Sequence, residues 1–177
     1  MSKLITFLFV LSAFFVIGLE GYKMIKTAED ANTEKSLALA EQSTDRLYKE
    51  MELNIQLVKK DGLLIPLDDT KLSHVESLYE KAGSSSGKFQ KRLTSLETKI
   101  FEMNQYQSAI DKAGELDAMI DQFINKPEYK KTDFDDLILL KTEVASIRAG
   151  FNAIHHIGLK EILSQKYITE ASQLDKY

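Results

Sequence analysis

Polar and apolar residues alternate along this chain with the period of helices packed against helices. From Leu37 the apolar positions run Leu37, Ala40, Leu47, Met51, Ile55 and Val58, with Thr44 filling one place. Steps of three and four are the seam of an amphipathic helix. Gly62 and Pro66 end this helix, and Asp68-Asp69-Thr70 supplies an N-cap for the next. The second helix is short, with Leu72, Val75, Leu78, Tyr79 and Ala82 on its apolar face. Residues 82–87, Ala-Gly-Ser-Ser-Ser-Gly, form a loop whose Ser85 or Ser86 caps the third helix. That helix has the most regular heptad: Phe89, Leu93, Leu96, Ile100, Met103, Ile110, Ala113, Ile120 and Phe123, with Leu116 and Ile124 beside the seam. It ends at Asn125-Lys126-Pro127, because proline disfavours helix at the residue before it. Thr132 or Asp133 opens a fourth helix through Leu137, Leu140, Val144, Ile147, Phe151, Ile154 and Ile162, which frays near Ala171.

No stretch sustains a period of two, so essentially no strand is expected. Short connections between long helices favour antiparallel neighbours. The expected fold is all-α: an N-terminal transmembrane helix, then an elongated antiparallel bundle of three long helices and one short. Its seam is carried by Leu47, Met51, Ile55, Leu93, Ile100, Met103, Ile110, Ile120, Leu140, Val144, Ile147 and Phe151.

The transmembrane expectation rests on residues 4–19, an uncharged run behind Met-Ser-Lys. Leu4, Phe7, Phe9, Phe14, Phe15, Ile17 and Leu19 would face lipid. A spanning helix needs about 20 apolar residues and at least about 17. Gly21, Tyr22, Met24 and Ile25 extend the run, with Glu20, Lys23 and Lys26 snorkelling to the interface and Tyr22 suited to the aromatic belt. A cleaved signal peptide is the competing reading: Lys3 provides its basic start, but no Ala-x-Ala cleavage site comes after the run. Residues 1–26 are read as the anchor, or an uncleaved signal segment, and residues 27–177 as one extracytoplasmic domain. A short N-terminal tail with its lysine stays inside, which places the bundle on the periplasmic or extracellular side of the cytoplasmic membrane.

Composition narrows the function. The chain carries 23 Lys+Arg and 27 Asp+Glu. Setting aside Lys3, Lys23, Lys26 and Glu20 leaves 20 basic and 26 acidic residues, a net charge of −6 over 27–177. This is no footprint for nucleic acid and no polybasic clasp for lipid headgroups. Cysteine is absent, so disulfides, thiol nucleophiles and thiolate metal sites are excluded.

Residues 116–152 resemble the C-terminal half of LemA-family proteins. Pro127-Glu128-Tyr129-Lys130, Phe134-x-x-Leu137 and Arg148-x-x-Phe151-Asn152 occupy the places of that family's Pro-x-Leu-Lys, Phe-x-x-Leu and Arg-x-x-Tyr-Asn elements. Lys59-Lys60-Asp61 with Leu64-Ile65-Pro66 is similar to its basic pair followed by Asp-Leu-Ile-Pro. Gly62 and Leu63 interrupt that element, no Asn-Leu-Val comes after Pro66, the Phe134–Arg148 spacing is about a turn short, and Phe151 stands where the family has Tyr. The resemblance implies a bacterial, membrane-anchored helical fold without a defined activity.

Candidate chemistry is sparse. His155 and His156 are adjacent on the expected helix, so they point about 100° apart and cannot chelate one ion together; His74 is remote. Asp133, Asp135 and Asp136 could form an acidic metal cluster but more simply complement a helix dipole. Asn152 is either a buried register-setting amide or an exposed one. Residues 83–87 lack the strand and the Gly-Lys-Ser/Thr of a phosphate loop. No catalytic, cofactor or metal residue is assigned, and an enzyme is not expected. The expected function is a membrane-anchored helical scaffold or adaptor of the bacterial envelope, acting on another envelope protein or on itself. The alternative is an extracytoplasmic ligand-binding bundle that signals through a separate partner; an envelope-spanning tether is a third reading. A scaffold requires an uncovered apolar stripe, and a sensor requires a pocket with convergent polar groups. Partners are therefore the bilayer through residues 4–25 and a second protein; a small ligand has no support in the sequence.

Overall fold

The computed structural model describes the backbone of residues 2–83, 87–126 and 133–176, and side chains from residue 19 onward within those ranges except at 133, 170, 171 and 173. Five α-helices account for nearly all of it: α1 (Ser2–Asp61), α2 (Asp69–Gly83), α3 (Gln90–Ile124), α4 (Asp133–Phe151) and α5 (Ile157–Gln173). Short 3₁₀ turns at Gly87–Phe89 and Leu174–Lys176 open α3 and follow α5. No strand occurs among the described residues.

The helix ends are set by local chemistry. Gly62 takes a φ of 68° and its N–H donates to the Val58 carbonyl at 2.9 Å, the left-handed stop that glycine adopts without a Cβ penalty. Asp68 Oδ1 accepts from the backbone N–H groups of Thr70 (2.9 Å) and Lys71 (3.3 Å), capping α2. The expected caps at Ser85 or Ser86 and the Pro127 turn lie outside the described residues.

Partner residues give the topology. Helix α2 runs back along α1, with Lys71 on Glu50 at its start and Ala82 packed near Leu37 and Ala40 at its end. Helix α3 then runs parallel to α1: Arg92 meets Glu41, Lys99 meets Asp45, and Tyr48 donates to Glu102. From about Gln105 onward α3 collects α4 and α5, whose connecting turn also touches α1 at Glu52. Helix α4 is antiparallel to it, with Lys126 on Asp136 at one end and Gln105 on Ala153 at the other. Helix α5 turns back again, joined to α3 through Lys166–Asp117 and the Tyr167 hydroxyl on Ala113. The molecule is thus two three-helix segments placed end to end, sharing α3, whose 35 residues span about 52 Å.

The core follows the seam. Leu37, Ala40, Ala82, Phe89, Leu93 and Leu96 form one buried group. A larger group starts at Leu47 and Val75 and continues along α3 through Met103, Tyr106, Ile110, Leu116 and Phe123 to Leu140, Leu163 and Leu174. Thr44, fully buried, lies between the two groups in sequence, and its hydroxyl has no hydrogen-bond partner.

Two expectations require correction. The structure has two long helices, α1 and α3, and not the expected three: the fourth helix stops at Phe151 after 19 residues, and a separate α5 of 17 residues begins at Ile157. His155 and His156 accordingly lie in the turn between α4 and α5, not on a helix. Among the named seam positions all are buried except Ile147, which is half-buried; past the turn the buried positions are Leu159, Leu163 and Tyr167, whereas Ile162 is half-buried.

Among the described residues no helix is long and apolar enough to cross a membrane. The side chains of Leu4, Phe7, Phe9, Phe14, Phe15 and Ile17 lie outside the described residues; Leu19 lies within them and is exposed. The α1 backbone is helical from Ser2 without interruption. Its contacts with the bundle begin near Asp30, which pairs with Lys88 at 3.7 Å. Residues 19–29 stand clear of the bundle, with Leu19, Tyr22, Met24 and Ile25 exposed.

Candidate functional site at the waist

The two three-helix segments meet at residues 101–112 of α3, where both interhelical connections are fastened to one helix. On one side the α1–α2 connection is held by Tyr106, whose hydroxyl donates to the Ile65 carbonyl at 2.6 Å, and by Gln107, whose Oε1 accepts from the Leu67 N–H at 2.8 Å. Asn54 Nδ2 adds a longer contact to the same Ile65 carbonyl, 3.4 Å. Burial pushes the Tyr106 phenol from 10.0 up to about 12, opposed in part by the Asn54 amide. Tyr48, one turn before Glu52, is also raised, first by burial and then by its hydrogen bond to the Glu102 carboxylate.

On the other side Gln105 fastens the α4–α5 turn in both directions: its Nε2 donates to the Ala153 carbonyl (3.0 Å) and its Oε1 accepts from the His155 N–H (3.0 Å). His156 completes the junction. Its Nδ1 accepts from the Leu159 N–H at 3.3 Å, an N-cap for α5, while its Nε2 lies 3.0 Å from Glu52 Oε1 on α1. This arrangement puts the ring proton on Nε2, donating to the carboxylate. The His155 ring packs edge-on against Phe101, 5.3 Å between centroids. Both histidines are therefore used in joining helices.

Between α3 and this turn lies a cavity of about 300 Å³ lined by Phe101, Asn104, Gln105, Ser108, Ala109, Lys112, Gly150, Phe151, Ala153 and Ile154. Its floor is the buried Phe151, Ala109 and Ile154; Phe101, about half exposed, stands at the rim. Asn104 Nδ2 is bonded to Glu76, and Gln105 is saturated by the turn. The Lys112 ammonium has no partner among the described residues. Gly150 forms part of the wall, and a Cβ there would meet nothing within 4 Å. Sequence reasoning missed this site: Phe101 falls off the seam, and Gly150, Gln105 and Lys112 carry no spacing that marks them.

The remaining candidates are dispersed. His74 lines a separate groove with Arg46, Glu50 and Lys71 between α1 and α2. Asp136 is paired with Lys126 at 3.1 Å, the Asp133 side chain lies outside the described residues, and no group of three metal-ligating side chains occurs among the described residues. Asn152 is exposed, so the exposed-amide alternative holds; its carbonyl accepts from Lys160 Nζ at 3.1 Å. Of the LemA-like positions, Leu137 and Phe151 are buried, Arg148 is half-buried, Phe134 is exposed, and residues 127–130 lie outside the described residues.

At the end of the molecule remote from α1, helix α4 leaves Phe134, Ile138 and Leu139 uncovered, with exposures of 63%, 50% and 67%. Phe134 and Ile138 are one turn apart and share a side of the helix. Comparison with protein-family models, curated proteins and solved structures finds no match for this chain.

Proposed function

We propose that this protein is a membrane-anchored helical adaptor of the bacterial envelope, holding a docking surface at a fixed distance from the bilayer and performing no catalysis. The carrying observation is the placement of the Phe134–Ile138–Leu139 patch at the far end of α3 from the apolar N-terminus. From the level of Leu37 to that patch α3 spans about 50 Å, and the clear stretch of α1 adds to this. Exposed apolar side chains on adjacent turns favour a partner helix. The uninterrupted α1 supports the anchor, since the apolar run of residues 4–19 and the stalk belong to one helix. The LemA-like elements imply the same order along the chain, an N-terminal anchor followed by a helical bundle.

The test is a photo-crosslinking residue at Leu139, compared with one at Leu53 on α1, in whole cells followed by membrane fractionation and mass determination of the N-terminus. The expected result is an intact N-terminus in the membrane pellet and a discrete adduct from position 139 only, with a second protein or a second copy of this chain. A soluble chain trimmed near Gly18 or Gly21 sinks the anchor, and equal labelling from both positions sinks the docking surface.

The waist cavity favours the second reading, a ligand-binding bundle, through one specific feature: an unpaired cation beside an apolar floor.

A further inference from the structure

We infer that His156 is a proton-operated joint between α1 and α5: the neutral ring caps α5 and holds α1 at once, and on protonation it gives up the cap and keeps α1. This device goes beyond the adaptor reading and does not depend on it. Both ring nitrogens are in use. Nδ1 accepts from the Leu159 N–H at 3.3 Å, and Nε2 faces Glu52 Oε1 at 3.0 Å. Helix α5 starts at Ile157, so His156 is its N-cap and Leu159 its third residue; serine or aspartate usually makes this bond. Neither of those caps changes charge between pH 5 and 8, and histidine does. An imidazolium donates from both nitrogens and has no lone pair left to accept with. The protonated ring therefore cannot receive the Leu159 N–H in any rotamer, and its charge also stands at the positive end of the helix. Towards Glu52 the same proton acts in the opposite sense, turning a hydrogen bond from a neutral ring into an ion pair.

The lost bond is not replaced in the closed fold. The His156 side chain is 22% exposed, which gives protons access to the ring. Leu159 is fully buried, so water does not reach its N–H, and a buried donor without an acceptor carries a desolvation penalty. The first turn of α5 must open for that N–H to find solvent. The other titratable and charged groups on the surrounding elements are engaged elsewhere or point to water. Tyr48 of α1 is committed to Glu102 of α3, Lys160 of α5 holds the Asn152 carbonyl, and His155 packs on Phe101. Lys49 of α1 and Glu161 of α5 are exposed. The turn before α5 is kept by Gln105, which does not titrate and holds Ala153 and His155. Opening is thus confined to the start of α5.

The experiment is hydrogen exchange resolved to single amides by mass spectrometry, on the full-length chain in lipid nanodiscs at pH 5 and pH 8, with each rate corrected for its intrinsic pH dependence. The expected result is that protection of the Leu159 amide falls by about fivefold to tenfold at pH 5, whereas the His155 amide on Gln105 keeps its protection. His156→Asn retains a cap that does not titrate and is expected to protect Leu159 equally at both pH values. His156→Ala is expected to show at pH 8 the Leu159 exchange that the unaltered chain shows at pH 5. Circular dichroism of each variant separates loss of the cap from loss of the fold. Nitrogen-15 spectra of the histidine rings give an independent readout, with the His156 proton expected on Nε2 at pH 8. Equal protection of Leu159 at the two pH values, a pH dependence that survives in His156→Asn, or a proton on Nδ1 at pH 8 overturns the assignment. None of these readouts moves with the membrane attachment or with the α4 patch.

Discussion

Replacing Tyr106 with phenylalanine tests the fastening at the waist through its dependence on pH. The side chain is 1% exposed and its hydroxyl donates to the Ile65 carbonyl at 2.6 Å. Near pH 8 the variant loses that bond and leaves the carbonyl with only the 3.4 Å contact from Asn54, which costs about 1 to 1.5 kcal/mol. For a chain of this size that lowers Tm by about 3 to 5 °C. At alkaline pH a second effect enters with the opposite sign. Burial raises the Tyr106 phenol from 10.0 to about 12, so above pH 10 the unfolded chain releases this proton while the folded chain keeps it. Folded Tyr106 thus contributes stability that is complete below pH 10 and is lost as the pH rises toward 12. The loss is about 1.4 kcal/mol at pH 11 and approaches about 2.7 kcal/mol above pH 12. The Tyr106→Phe variant has no phenol to titrate and escapes this loss. The other side chains are common to both proteins and cancel in the difference. The stability difference measured by urea denaturation is therefore expected to shrink from about 1 to 1.5 kcal/mol at pH 8 to about zero near pH 11. A difference that stays constant between pH 8 and pH 11 would show that Tyr106 is not buried and hydrogen-bonded in the folded chain.

Thr44→Val should raise stability by about 1 kcal/mol, because a buried hydroxyl with no partner is exchanged for a methyl of similar shape; a loss of stability on urea denaturation would mean that the hydroxyl is satisfied. Gly114→Ala on α3 should stabilise by about 0.5 to 1 kcal/mol, since the backbone is helical and the added Cβ meets nothing within 4 Å. Gly62→Ala should instead destabilise by about 1 kcal/mol, because its φ of 68° is strained for any residue with a Cβ; the two glycines giving the same sign in thermal melts would contradict this assignment. Gln105→Leu should lower stability by about 1 to 2 kcal/mol through loss of both turn hydrogen bonds, and hydrogen exchange should quicken first at the His155 amide.

The helical class, the stop at Gly62, the cap at Asp68 and the seam along α1 and α3 were legible in the sequence because each depends on local chemistry or on a period of three and four. The break between α4 and α5 was not. No proline marks it, and Phe151 and Ile154 are both apolar and buried, so the pattern continues across the turn. What ends the helix is tertiary: Gln105 reaches from α3 to satisfy Ala153 and His155, and His156 caps α5 in place of the usual serine or aspartate. A slip of one residue, from the expected Ile162 to the buried Leu159 and Leu163, was the available trace of it. The waist cavity was hidden for the same reason, because Gly150, Phe151, Ala153 and Ile154 close against α3 only through the turn that the pattern did not reveal.

The sharing of α3 has a consequence for how the chain can be divided. Helices α1 and α2 cover its first half; α4 and α5 cover its second, and Ile110, Ala113, Leu116, Ile120 and Phe123 belong to the same apolar group as Met51 and Val75. A fragment ending after α3 would expose that row to water, and a fragment starting with it would strip Leu93, Leu96 and Ile100. Neither half is a removable module. The protein gains or loses its order as one cooperative unit, and a disturbance that frays either end of α3 is felt at both.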